Sequence, residues 1–185
     1  MTEEEMTIAN KTARSNGAVG KNALLPRIIR SKYNAHNIPS KIESGTIDQP
    51  FAILDFGSGP KALHTEAFAK DGYPCTAYEM GANFDPEVHA DDEALGNSTF
   101  DIVMASNVIN TLSSLSAIRE TLSKIHKYTD SKGLALINLP TSPRKLKGLT
   151  KQDVIDMLLI AGFTSITTEN HNGTKVFYCY KRSTR

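Results

Sequence analysis

Residues 51–72 read FAILDFGSGPKALHTEAFAKDG, and their reading decides the fold. FAILDF is a continuous apolar run of strand length, the pattern of a strand buried on both faces. GSGP interrupts it, and Gly57 and Gly59 let the backbone turn sharply and approach a ligand without a Cβ in the way. KALHTEAFAKDG then has helical character and stops at Gly72. A strand that runs through a glycine loop into a helix opens a nucleotide-binding crossover unit. A dinucleotide loop carries a third glycine, which this chain lacks, and that loop lays a pyrophosphate on the helix N-terminus. With Pro60 and Lys61 following Gly59, the loop is read as favouring a ligand that has no pyrophosphate.

Outward from this stretch the period of the apolar residues keeps switching. PCTAYEM predicts a second short strand, and FDIVMASNVI a third, stronger one. From Thr111 to His126, Leu112, Leu115, Ile118, Leu122 and Ile125 recur at three- and four-residue steps and predict a helix with one apolar face. SKGLALINLP turns on Gly133 into a strand. Thr150 caps a helix over KQDVIDMLLIAG that ends at Gly162. FTSITTEN and KVFYCYKR alternate on either side of HNGT, a hairpin signal. The whole predicts an α/β, three-layer Rossmann-like fold whose mostly parallel sheet ends in an antiparallel β-hairpin.

At 185 residues the chain suits one domain, large enough to bury roughly 70% of its unfolded surface. Residues 1–50 are polar and basic, with ALLPRIIRSKY as their one apolar stretch; they are expected to be a helical, basic lid segment ahead of a ligand-binding domain over 51–185. The 21 basic and 20 acidic residues leave a net charge of +1, so any basic patch for nucleic acid is local. Lys11, Arg14, Lys21, Arg27, Arg30, Lys32 and Lys41 would supply one, and a solvated helix face is the alternative. Cys75 and Cys179 match neither a disulfide framework nor a metal-ligand spacing and read as buried thiols. No metal is expected. No apolar run approaches the roughly 18 residues of a membrane span, and a soluble, cytoplasmic protein is expected.

The chemistry-bearing residues fall at strand ends. Asp55 stands at the rim of the first strand. Glu79, 24 residues on in the sequence, ends the second strand near the offset at which an acid accepts ribose hydroxyls. Asp91 and Asp92, in ADDEALGNSTFD, are placed for an exocyclic amine or, equally, to cap a helix. Ser106 and Asn107 end the third strand. His64 on the first helix is a candidate to face the ligand, and Asn110 to cap the following helix. Tyr33, Tyr73 and Tyr78 read as packing groups.

These segments resemble the class I S-adenosylmethionine-dependent methyltransferases: ILDFGSGP their first motif, TAYEM the acidic second, ADDEAL the third, FDIVMASNVINTL the fourth strand. A further similarity is to methyltransferase-like proteins encoded near DNA-modification genes, through KTARS, DFGSG, NFDP and NVIN. The resemblance implies S-adenosylmethionine as cofactor. It implies that Asp55 organises the loop and the methionine amino group, and that Gly57, Ser58 and Gly59 lie along the methionine portion. Glu79 would take the ribose, Met80 would pack on adenine, Asp91 or Asp92 would meet its amine, and Ser106 and Asn107 would line the cleft near the sulfonium.

Methyl transfer needs donor and acceptor held in line and no obligatory base, so the catalytic candidates stop at Asn107 and His64. The tetrapeptide of DNA amino-methylating enzymes is absent, with SNVIN in its place and NLPT from Asn138 as a look-alike on another strand. The acceptor is unassigned, small molecule or nucleic acid. Cleavage of S-adenosylmethionine, or its binding without turnover, are the alternative functions.

Overall fold

The computed structural model describes residues 2–7, 23–32, 52–142 and 144–181. The elements, in chain order, are α1 (Leu24–Lys32), β1 (Ile53–Phe56), α2 (Leu63–Lys70), β2 (Cys75–Tyr78), α3 (Asp92–Leu95), β3 (Phe100–Ala105), α4 (Leu115–Tyr128), β4 (Thr129–Leu139), α5 (Lys151–Ala161), β5 (Ser165–His171) and β6 (Thr174–Tyr180). The strands form one sheet in the order β2-β1-β3-β4-β6-β5. The first four are parallel, and β6 lies antiparallel to both β4 and β5.

Successive strand residues face opposite sides, and here both sides are covered. Leu54, Phe56, Val103, Ala105, Ala135, Ile137, Phe177 and Cys179 pack with the buried faces of α4 and α5. Their neighbours Ile53, Ile102, Met104, Leu134, Leu136, Val176 and Tyr178 pack with α1 and with Phe68 of α2. This makes the three-layer architecture that the continuous apolar runs imply. It also puts Asp55, two residues from Ile53, on the α2 side of the sheet.

α1 falls within residues 1–50, the segment expected to be a helical, basic lid. Leu25, Pro26, Ile28 and Ile29 are buried in the core. Arg30 pairs with Asp71 at 2.5 Å and lies over the Phe68 ring, while Lys32 reaches Glu169 at 3.1 Å and the Tyr178 ring. Two of the seven basic residues thus fasten a structural helix, and Arg27 is exposed. Lys11, Arg14, Lys21, Lys41, Tyr33 and the KTARS segment lie outside the described residues.

Three local readings change. The helix expected from Thr111 begins at Leu115, capped by the Ser114 hydroxyl, which accepts from Ala117 N at 3.1 Å. Asn110 is therefore no cap; it lies buried in a 3-10 turn, Ile109–Thr111, and Leu112, which follows that turn, mimics helical spacing. Gly133 is no turn but sits within β4, beside a register shift against β3. A Cβ there would come 2.9 Å from Phe100 O and 3.0 Å from Asp101 O, so the strand needs glycine for close backbone approach. NLPT runs across the end of β4, whose Asn138 is buried.

The other terminators act as the sequence predicts. Thr150 forms a capping box with Asp153, and Gly162 ends α5 at φ 112°. Asn172 and Gly173 both take positive φ in the β5–β6 hairpin, the requirement of a tight primed turn. The short link after β2 holds a 3-10 turn, Gly81–Asn83, and the four-residue α3. A single parallel bridge from Tyr78 to Ala90 stands where a further strand would lie. No helix among the described residues is long and apolar enough to cross a membrane.

Candidate functional site

Strand order reverses at β1, which has β2 on one side and β3 on the other. Ligands of open α/β sheets bind beyond the carboxyl ends of the strands at such a point. The glycine loop leaves β1 there. Gly57 N and Ser58 N both donate to Tyr78 O, at 2.9 and 3.1 Å, which folds the loop back over the end of β2. Gly57 has φ 71°, and a Cβ on it would meet Val108 Cγ2 at 2.7 Å; Gly59 has φ 75° and nothing within 4 Å of its missing Cβ. The first glycine is thus required by the protein's own packing, and the second borders open space.

Lys61 is exposed. The chain enters α2 through Ala62, in the left-handed region at φ 43° and without a side-chain cap. An alanine carries the conformation that a glycine would adopt freely, at about 1–2 kcal/mol.

Asp55 is fully buried. Its Oδ2 accepts from the Thr65 hydroxyl at 3.1 Å. Its Oδ1 has no hydrogen-bond partner and lies 3.7 Å from His64 Nδ1. Both His64 ring nitrogens are likewise buried without a hydrogen-bond partner. The sequence alone does not show this pairing; the topology places α2 over Asp55.

Glu79 is 6% exposed at the end of β2. Its Oε2 accepts from Gly59 N at 2.8 Å and its Oε1 from Met80 N at 2.9 Å. Burial raises its pKa above the usual carboxylate range, against those two amide donors and nearby His89. A cleft of about 430 Å³ opens here, lined by Glu79, Met80, Phe84, Asp91 and Asp92 among others.

Asp91 caps α3, its Oδ1 accepting from Ala94 N at 2.9 Å. Asp92 is engaged through both oxygens, by Lys124 Nζ at 2.6 Å and by the hydroxyls of Tyr128 at 2.5 Å and Tyr78 at 3.0 Å. Burial opposes its ionisation, but Lys124 and the two phenols hold its pKa below the usual range. Of the two aspartates, Asp92 is thus a clasp between β2, α3 and α4.

Asn107 follows β3 at φ 58°. It forms a reciprocal pair with Asn138: Asn107 N donates to Asn138 Oδ1 at 2.6 Å, and Asn138 Nδ2 to Asn107 Oδ1 at 2.8 Å. Ser106 is half-buried beside it. Asp55 with His64, the glycine loop with Glu79, and Ser106 with Asn107 therefore sit at the ends of three adjacent strands. Cys75 and Cys179 are free, and burial raises both thiol pKa values.

Sequence reasoning missed Asn138 and His89. His89 is buried, donates from Nε2 to Gly59 O at 2.9 Å and accepts Asp85 N at Nδ1, 3.0 Å away. A lone histidine in a loop has no periodicity to mark it.

No protein-family model and no curated protein matches the sequence. Solved structures do match the fold. A TehB-like SAM-dependent methyltransferase from Corynebacterium glutamicum shares 16% identity at a TM-score of 0.54, over 84% of this chain and 94% of that one. A SAM-dependent methyltransferase from Archaeoglobus fulgidus shares 12% at 0.55, over 82% and 97%. The glycopeptide N-methyltransferase MtfA, in complex with (S)-adenosyl-L-methionine, shares 15% at 0.53, over 91% and 99%. At these identities the likeness establishes the fold: the chain has the Rossmann-like fold of class I methyltransferases.

Proposed function

We propose that this protein is an S-adenosylmethionine-dependent methyltransferase acting on an acceptor still to be identified. The observation that carries the reading is Glu79, a buried carboxylate at the end of β2, facing a cleft beside an open-sided glycine loop. Such a carboxylate retains lone pairs after accepting two amide N–H groups and suits a vicinal diol. The likeness to methyltransferases at the level of fold, one of them in complex with this cofactor, adds support.

The residues fit the cofactor at each end. Asp55 Oδ1, buried and without a donor, suits an ammonium group. Met80, half-buried on the cleft wall, offers a polarisable face to a purine. Asp91, whose other carboxyl oxygen is left by the cap, suits an exocyclic amine.

When bound, the cofactor supplies a methyl group activated by its sulfonium. The chain's task is then to hold the donor in line with the acceptor and to exclude water. Asn107, locked by Asn138, would orient a polar acceptor, and His64 lies on the Asp55 side of the site. No proton transfer is required of either.

Calorimetry with S-adenosylmethionine and S-adenosylhomocysteine tests the reading, followed by incubation with methyl-labelled cofactor and candidate acceptors. Label moving to an acceptor supports it. Breakdown of the cofactor without an acceptor, binding without turnover, or no binding each overturns it.

A further inference from the structure

His89 belongs to none of the motifs, yet its two hydrogen bonds define its state. Nδ1 receives the Asp85 N–H at 3.0 Å, so that nitrogen carries no proton. Nε2 must then carry it, and donates to Gly59 O at 2.9 Å. The N–H of the same glycine goes to Glu79 Oε2 at 2.8 Å. The Gly59 peptide unit is therefore gripped from both sides, its N–H by the end of β2 and its carbonyl by the loop beyond. The His89 ring also lies 6.3 Å from the Phe84 ring, which lines the cleft.

We infer that His89 is a positioning residue for the ligand pocket, which in its neutral Nε2–H form fixes Gly59 and ties the glycine loop to the cleft wall around Phe84. The identity of the pocket's ligand rests on the proposed function, whereas the clamp rests on the hydrogen bonds alone. Glu79, at the end of β2, lies near the ring, and the glycine loop contributes the Gly59 carbonyl. The Asp85 N–H demands a neutral ring with Nδ1 as the acceptor.

His89→Gln is the conservative control, because a glutamine amide can donate in place of Nε2–H. The experiment measures hydrogen exchange at the Gly59 amide by NMR, corrected for intrinsic rate, near neutral pH. Calorimetry with S-adenosylhomocysteine accompanies it. In His89→Ala the Gly59 amide should exchange about tenfold faster and the ligand should bind about three- to tenfold more weakly, the loss of one hydrogen bond. His89→Gln should restore both. Unchanged Gly59 protection in a folded His89→Ala overturns the inference, as does a His89→Gln variant that is folded yet as loose as His89→Ala. If exchange behaves as expected and no variant or wild type binds the nucleoside, the clamp stands and the proposed function falls.

Discussion

Replacing Glu79 by glutamine sets ligand binding against stability. The side chain keeps its shape and one acceptor oxygen for Gly59 N or Met80 N, loses its charge, and turns its amide NH2 toward the other backbone N–H. Because burial, the dominant effect, raises the Glu79 pKa even against its amide donors, the folded chain prefers this group neutral. The sign follows: a carboxyl raised above its unfolded value contributes stability that is complete below the unfolded pKa and is lost as pH rises through the folded one. At neutral pH the ionised form is therefore a cost to the ligand-free protein, which Glu79→Gln removes. The backbone N–H left facing the amide opposes that gain, so the melting temperature at pH near 7 should change by less than about 5 °C, and stability should respond less to pH across the carboxylate range.

Binding moves the other way. A carboxylate can accept both hydroxyls of a diol, and each charge-assisted hydrogen bond is worth about 1.5–3 kcal/mol. Glutamine keeps about one of the two, so affinity should fall about ten- to a hundredfold. Thermal unfolding without ligand and calorimetry with S-adenosylhomocysteine read the two effects. Unchanged affinity would place the ribose elsewhere. A melting temperature lower by more than about 5 °C, more than 1 kcal/mol for a chain of this size, would make the carboxylate a structural anchor instead.

Four further outcomes can be checked. Gly57→Ala, facing Val108 at φ 71°, should cost about 2–4 kcal/mol in chemical denaturation. Gly59→Ala should cost only about 1–2 kcal/mol for its φ, while binding suffers more than stability does. Asp92→Ala leaves the buried hydroxyls of Tyr78 and Tyr128 without their carboxylate, and should lower the melting temperature by about 5–15 °C. The Tyr178 hydroxyl, then Lys32 and His171, hold the Glu169 pKa at about 2; Tyr178→Phe should move it upward in an NMR titration, with no change in nucleoside binding.

The parts of the fold legible in the sequence are those fixed by local pattern. FAILDF and FDIVMA declare buried parallel strands because crossover helices cover both faces, and HNGT declares a hairpin because few residues tolerate two positive φ angles. Thr150 and Gly162 mark their helix by capping chemistry. The misreadings share a cause: Leu112 has helical spacing but is buried by the turn before α4, and Gly133 marks a close approach between strands that no local window contains. The site divides in the same way. Asp55, the glycines and Glu79 follow from strand ends and offsets. His89, Asn138 and the Asp55–His64 contact depend on which loops the topology brings together, with sequence separations of 30 and 31 for the His89–Gly59 and Asn107–Asn138 bonds.

The order of the last strands bears on how the chain is made. β6 is synthesised after β5 yet lies between β4 and β5, so β5 has no place in the sheet until β6 emerges. Until then β4 presents a bare edge carrying Leu134, Ala135, Leu136 and Ile137, which β6 later covers. Nascent chains are at their most adhesive while such an edge is open. A chain stalled or cut within the final hairpin would keep its glycine loop and cleft residues and still lack the strand that closes the sheet, so its hazard is misassembly with other chains rather than simple loss of activity.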